Sequence, residues 1–291
     1  MLAFNQIGNL GRLGNQMFEY AALRGIAAYH GYNWCIPPFH MTGIENYSLH
    51  ECFKLESVQD ENLSVKQEYQ YAQERHFHFD HELFTNCPNN VSLHGFFQSE
   101  KYFHHIEDVI RKEYTFHDEH LIPCKEMIEC LTNMDSLVRQ EPIMLHVRRG
   151  DPNLTDPRGF KWSYTQCGDQ HPVQPIEYYE KALLHFDDDQ PVIVFSDSPE
   201  WVKEQEFFSD DRFMVSEPIN KYPDGSYTPY TDLCLMSLCS HAIIANSSMS
   251  WWGAWLIDNP HKKVVAPKMW FGPAYSDKDT SDLYCKNWIL E

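Results

Sequence analysis

Short apolar runs alternate with helical patterns along most of this chain, and that alternation constrains its fold more than any other feature. In the second half the runs are Ile143–Val147, Val192–Phe195, Arg212–Val215, Ala242–Ala245 and Lys263–Ala266. Between them lie helical patterns at Pro175–Phe186, with proline near the start, at Thr231–Ser240 and at Ser248–Asp258. Ser196-Asp197-Ser198-Pro199 is a further helix-start signal. Strands alternating with helices predict a parallel sheet covered on both faces. The first half opens the same way. A strand candidate, Leu2–Ile7, runs into the glycine loop Gly8-Asn9-Leu10-Gly11-Arg12-Leu13-Gly14. A helix over Asn15–His30 follows, with Met17, Tyr20, Ala21, Leu23, Ala27 and Ala28 on its apolar face and Gly31 as its stop. Trp34–Ile36 and Val91–Gly95 read as strands and Lys101–Arg111 as a helix, while residues 40–90 show no regular pattern. Two βα-rich halves meeting at a cleft are expected, 1–140 and 141–291, with the C-terminal tail either staying in the second half or crossing back to the first.

Charge narrows the partners. The chain has 42 acidic and 23 basic residues, a formal net charge of −19. Such a surface repels nucleic acid and anionic lipid. Against that background the stretch His146-Val147-Arg148-Arg149-Gly150-Asp151 stands out, because it follows an apolar run at the end of a predicted strand. Ligands bind at that edge of open α/β sheets. The planar fork of arginine suits phosphate. An arginine pair there points to a phosphorylated ligand, or else one arginine pairs with Asp151 and pins the loop. The nine cysteines form no C-x-x-C pair and fit a reducing compartment. No signal peptide or long apolar run is evident, so a cytoplasmic location is expected.

Three other segments bear on chemistry. The Gly8–Gly14 loop matches neither the dinucleotide fingerprint nor the P-loop, yet it opens a helix whose free N–H groups favour an anion. Asn246-Ser247-Ser248 lies between a predicted strand and a helix. It reads either as plain capping by Ser248 or as a metal-free phosphate cradle. Asp187-Asp188-Asp189 contains a D-x-D pattern but precedes its strand, the wrong edge for a ligand, and reads as a solvated acidic loop. The tryptophans of Met249–Trp255 are expected in the core, with sugar stacking as the alternative. The clustered histidines, His76, His78 and His81 and the pair His104 and His105, fit no metal-ligand spacing well and read as solvated or packed.

Together, several of these segments resemble glycosyltransferase family 11, the α1,2-fucosyltransferases. Gly11-Arg12-Leu13-Gly14-Asn15-Gln16-Met17-Phe18-Glu19-Tyr20-Ala21 resembles the family's opening motif. His146–Asp151 matches the H-x-R-R-x-D motif that α1,2- and α1,6-fucosyltransferases share, and Phe195-Ser196-Asp197-Ser198 is similar to an F-S-D segment. Asp232–Leu256, with its S-S-M-S-W-W-G-A-W run, resembles the family's most specific block. The resemblance covers residues 1 to about 270, in the expected order.

The resemblance implies a GT-B-type fold of two Rossmann-like domains, an N-terminal acceptor side and a C-terminal donor side. It implies GDP-fucose as donor, no metal, and inverting transfer to the 2-hydroxyl of a terminal β-galactose in a glycan. His146 and Asp232 would contact the guanosine, Arg148 the β-phosphate and Ser248 a phosphate. Asn15, beside Gly14, would meet the donor near the fucose. Asn246 and Ser247 complete the expected donor set, and Arg149 either joins it or braces the loop. Asp156 is favoured over Asp151 as the carboxylate that takes the acceptor's proton, with no dedicated base as the alternative. A GDP-fucose-dependent transferase of another linkage and a non-catalytic sugar-binding protein are the competing readings. Neither the acceptor glycan nor the oligomeric state is legible.

Overall fold

The computed structural model describes residues 1–37, 47–55, 70–133, 141–150, 164, 167–217 and 229–291. These form two compact units: residues 1–117 with 278–285, and residues 118–277 with 286–291. The division falls at 117/118 rather than near 140. The shift comes from a helix that the sequence pattern did not reveal, described below as α5.

The first unit holds β1 (Leu2–Ala3), α1 (Leu13–His30), β2 (Trp34–Cys35), α2 (Leu49–Cys52), β3 (Tyr71–Gln73), α3 (His81–Asn86), β4 (Val91–His94) and α4 (Glu107–Glu113). Its four strands are all parallel, in the order β2-β1-β4-β3. The expected strand from Leu2 to Ile7 stops at Ala3 and turns, and the expected helix over Lys101–Arg111 is two 3-10 turns followed by α4. Helix α1 packs deeply: Met17, Phe18, Tyr20, Ala21, Leu23 and Ile26 are fully buried. Gly31 ends it in the left-handed conformation. The Arg24 guanidinium, over the Trp34 ring at 4.1 Å, pairs with Glu113 at 2.5 Å, and Tyr20 donates to the same carboxylate at 3.1 Å. This buried pair ties α1 to α4.

The second unit holds α5 (Asp118–Asn133), β5 (Ile143–Val147), α6 (Ile176–Leu183), β6 (Val192–Ser196), α7 (Pro199–Glu204), β7 (Phe213–Val215), α8 (Pro229–Leu238), β8 (His241–Ile243), α9 (Ser248–Leu256), β9 (Val264–Ala266) and β10 (Ile289–Leu290). The six strands are parallel, in the order β10-β9-β8-β5-β6-β7. Helix α5 belongs here because it packs on α8: the Cys124 thiol lies 3.4 Å from the Thr231 carbonyl, and His120 lies against Tyr230. On one face of the sheet, Tyr178, Tyr179, Ala182 and Leu183 of α6 cluster with Ile143, Leu145, Val192 and Val194. Helix α9 comes close to α8 because residue 253 is glycine. A Cβ there would stand 2.9 Å from Met236 Cβ and 3.3 Å from Met144 Sδ. Trp251 and Trp252 are fully buried and Trp255 nearly so, which leaves them no face for a sugar. Asp187, Asp188 and Asp189 are exposed ahead of β6, as a solvated loop. All nine cysteines are free. Among the described residues, no helix is long and apolar enough to cross a membrane.

Removing Glu113 would strand a largely buried guanidinium. Glu113→Ala is therefore expected to cost about 3–5 kcal/mol of stability, read from urea unfolding.

Candidate active site

The strand order of the second unit reverses at β5. From β5 the chain runs outward through β6 and β7, then returns to lay β8, β9 and β10 on the other side. The loops leaving β5 and β8 therefore diverge, and the crevice between them is where ligands bind in such sheets. The sequence places Arg148, Arg149 and Gly150 after β5, and Asn246 and Ser247 between β8 and α9.

Arg148 bridges the crevice. Its Nη1 donates to the Asn246 carbonyl at 3.0 Å, and its Nη2 donates to the Tyr164 hydroxyl. Its guanidinium carbon lies 4.0 Å from the Tyr164 ring centre. Among the described residues both hydrogen-bond partners are neutral, and the Asp197 carboxylate acts on the guanidinium through charge alone. Arg149 points elsewhere and stacks on Trp201 of α7 at 3.7 Å. The loop itself is gripped by Asp197, whose two oxygens accept from the Arg149 and Gly150 amides at 2.9 and 3.0 Å. Asp197, the residue after β6, thus braces this loop. Asp151 and Asp156 lie outside the described residues.

Opposite Arg148, the carboxamide of Asn246 is engaged within the protein. Its Nδ2 donates to the Pro172 and Trp270 carbonyls at 2.9 and 3.1 Å, and its Oδ1 accepts from Gln174 at 3.2 Å. Asn246 offers the site its backbone carbonyl, which holds Arg148. Ser247, not Ser248, is the N-cap residue of α9, and its side chain makes no capping bond. The first-turn N–H groups, beginning with Ser248, are those that an anion would satisfy.

His146, the penultimate residue of β5, is buried with Nδ1 unpartnered. Burial, with the Arg148 charge adding to it, pushes its pKa down to about 3, so the ring is neutral. Asp232 sits in the first turn of α8 and accepts from Ser216, the residue after β7, at 3.4 Å. Burial raises its pKa to about 6. Among the described residues, no group of three or more His, Cys, Asp or Glu could hold a metal ion.

In the first unit the order also reverses, between β1 and β4. The loop after β1 carries Gly11, Gly14 and Asn15. Asn15, in the first turn of α1, accepts from Gln98 Nε2 at 2.8 Å. Its amide nitrogen lies over Gly11 (φ +68°), where a Cβ would come within 2.1 Å of it. Gly14 is buried in the same turn.

The model of glycosyl transferase family 11 matches residues 2–291. The chain belongs to that family. It is 31% identical over 218 residues to the O-antigen biosynthesis glycosyltransferase WbnK of Escherichia coli, covering 72% of this chain and 65% of that protein. It is 28% identical over 282 residues to an alpha-1,2-colitosyltransferase of Escherichia coli, covering 90% of each. The structure of the α-1,6-fucosyltransferase NodZ co-crystallised with GDP superposes with a TM-score of 0.52, at 13% identity, over 87% of this chain and 90% of NodZ. That likeness concerns the fold, which is of the GT-B type, an α/β fold with parallel sheets.

Tyr164, Asp197 and Gln98 were not among the expected site residues. The F-S-D segment held the signal for Asp197. Nothing local marked Tyr164 or Gln98. Asp197→Ala is expected to speed hydrogen exchange at the Arg149 and Gly150 amides about 10–100-fold, matching about 1.5–3 kcal/mol for bonds to a charged acceptor. The amides of β5 should stay protected.

Proposed function

We propose that this family 11 glycosyltransferase transfers L-fucose from GDP-fucose, with inversion, to the 2-hydroxyl of a terminal β-galactose in a glycan. One observation carries the donor assignment: Arg148, held by neutral partners, faces the uncapped start of α9 across the crevice where the strand order reverses. That is a phosphate site built from a guanidinium and helix N–H groups. Asp232 lies by the end of β7, two strands from β5 and roughly 10 Å away by sheet spacing. An extended nucleoside diphosphate suits that separation, with a guanine donating to the carboxylate and the neutral His146 ring on the nucleoside side. Ser247 and Ser248 add phosphate contacts. Arg149 acts through its stack on Trp201, bracing the loop.

The mechanism follows from charge. As the bond from the fucose anomeric carbon to the phosphate oxygen breaks, its electron pair stays on the β-phosphate. Arg148 and the α9 amides stabilise that charge as it develops. The acceptor hydroxyl attacks from the opposite face. Asn15 is proposed to hold the donor near the sugar, its carboxamide oriented by Gln98. Asp156 is the sequence's candidate for the acceptor's proton, with Asp151 as the other carboxylate of that loop. The α1,2 linkage draws support from the α1,2 name of the relative matched over 90% of its length. The galactose acceptor draws on the serine–tryptophan block. Because that relative is named for colitosyl transfer, the sugar on the GDP belongs in the test.

Transfer from GDP-fucose and GDP-colitose to a panel of β-galactosides, with chelator present, is expected to yield a metal-independent α1,2-fucosylated product. Arg148→Ala should reduce kcat about 100–1,000-fold. Product of another linkage by methylation analysis would refute the acceptor assignment, and absence of GDP binding would refute the donor assignment.

The Asp232 carboxylate gives a second test. A guanine donating to it favours the ionised form, so GDP binding should release a proton when the pH lies below about 6, the pKa in the free protein. Affinity should then fall as the pH drops, approaching tenfold per unit. Titration calorimetry should show this dependence reduced in Asp232→Asn. His146, with its pKa near 3, stays neutral throughout that window.

A further inference from the structure

The two groups that hold Arg148 lean on the same pair of segments, and all of them lie within the second unit. Tyr164 is tied to the arginine loop twice. Its amide donates to the Arg149 carbonyl at 2.9 Å, and its hydroxyl accepts from Arg148 Nη2. Its buried ring lies against the guanidinium at 4.0 Å and meets the His171 ring edge-on at 6.0 Å. His171 in turn packs on Phe271 at 5.6 Å and on Tyr275 at 5.7 Å. Asn246, the other partner of Arg148, donates to the Pro172 and Trp270 carbonyls.

These supports come from segments 167–174 and 269–275, which are bound to each other through their backbones. The Gly272 amide donates to the Gln170 carbonyl at 3.0 Å, and the Ala274 amide donates to the Asp169 carbonyl at 2.8 Å. The approach is close enough to require glycine. A Cβ on residue 272 would stand 2.5 Å from the carbonyl oxygens of Gly168 and Asp169. Gln174 adds a side-chain tie, donating to the Met269 carbonyl and to Asn246 Oδ1, each at 3.2 Å.

We propose that Tyr164 is a positioning residue that aims the Arg148 guanidinium at the donor's β-phosphate, and that segments 167–174 and 269–275 are the frame that holds it in place. This inference deepens the donor reading and rests on it. A guanidinium is a rigid plane with five N–H groups. Bonds from its two terminal nitrogens to different partners fix its rotation within that plane, and the aromatic ring against it fixes the plane itself. Among the described residues, one N–H is spent on Asn246 and one on Tyr164. Three are left for a phosphate, in directions set before the donor arrives.

Orientation in advance has a physical value. A long side chain that is ordered only on binding loses rotamer freedom at that moment, and the loss is subtracted from the affinity. The identity of the holding group matters as well. A carboxylate in place of the Tyr164 hydroxyl would aim the guanidinium equally well, but it would compete with the phosphate for the same charge. A phenol and a backbone carbonyl aim it without that competition. The nearby Asp197 carboxylate bonds to the loop amides instead.

The test is a double-mutant cycle, with GDP and GMP affinities measured by titration calorimetry for wild type, Tyr164→Phe, Arg148→Ala and the double variant. Phenylalanine keeps the ring against the guanidinium and removes only the hydroxyl. Tyr164→Phe is expected to weaken GDP about tenfold and to leave GMP, which has no β-phosphate, within about twofold of wild type. Once Arg148 is alanine, the same substitution should change nothing further. Equal losses of GDP affinity in both backgrounds would overturn the assignment, because Tyr164 would then act independently of Arg148. So would GMP falling as far as GDP, or a Tyr164→Phe protein that binds GDP as wild type does; each of these leaves the donor reading standing. A wild type that binds no GDP would overturn the donor reading and this inference with it. If Tyr164→Phe fails to fold, Gly272→Ala decides, since it displaces the frame and leaves Arg148 and Tyr164 chemically intact. Selective loss of GDP is the expected result there, and equal loss of GDP and GMP would overturn the proposal.

Discussion

The site depends on a parallel sheet whose strand order reverses. In a sheet laid down in one direction, each loop leaving a strand's carboxyl end is covered by the next connection. At β5 and β8 the chain turns opposite ways, so the loops leaving them diverge. Arg148 spans that gap with a bond to the Asn246 carbonyl. Burial fixes the geometry: every residue of β5 is buried, so the loop that follows cannot slide in register without displacing the core. The first unit repeats the design between β1 and β4, where a carboxamide pair, Asn15 with Gln98, takes the place of the arginine.

The charge of its partners separates Arg148 from Arg24 and Arg75. Arg24 meets the Glu113 carboxylate and Arg75 meets Asp80, so both are neutralised within the fold. Among the described residues, Arg148 is bonded to a carbonyl and a phenol hydroxyl. In a protein of net charge −19, an arginine whose hydrogen-bond partners among the described residues are neutral is a local exception to the overall field. The loop supporting it is braced by Asp197 through backbone amides, which spends that carboxylate on N–H groups rather than on the guanidinium.

The sequence made the repetitive parts of the fold legible and hid what depends on distant pairing. Val192–Phe195 and Ile143–Val147 were readable because strands buried on both faces are uninterrupted apolar runs. Strands β3 and β10 were not, being three and two residues long at sheet edges, too short to show a period. Helix α5 was masked by its charges and by Pro123, and its absence moved the expected boundary to 140. At the site, arginines after a strand and serines before a helix are local patterns. Tyr164 and Asp197 reach their partners across 16 and 47–48 residues, and Gln98 reaches Asn15 across 83, so only the folded chain brings them together. Trp251 and Trp252 show the opposite case, rings whose place in the core the sequence pattern already led one to expect.

Three carboxylates share one sign, each raised chiefly by burial. Glu19 is fully buried with both oxygens unpartnered, and burial, with the Glu74 charge adding to it, raises its pKa well above the usual carboxylate range. Glu74 is raised to about 7 and Asp232 to about 6. A carboxyl whose folded pKa exceeds its unfolded value favours the fold fully below the unfolded pKa, and that contribution is lost as the pH rises through the folded value. Glu74 and Asp232 therefore weaken the unliganded protein between about pH 4 and 7 as the pH rises, and Glu19 acts in the same direction, the reverse of a salt-bridged aspartate such as Asp80, which Arg75 holds far below its usual range. Stability alone would not favour such groups, since an apolar side chain of similar size would be cheaper to bury. Of the three, Asp232 lies near the end of β7, at the carboxyl edge of its sheet, where a ligand's donors would stabilise the ionised form. The fold carries that carboxylate where a bound nucleotide would complete its hydrogen bonding.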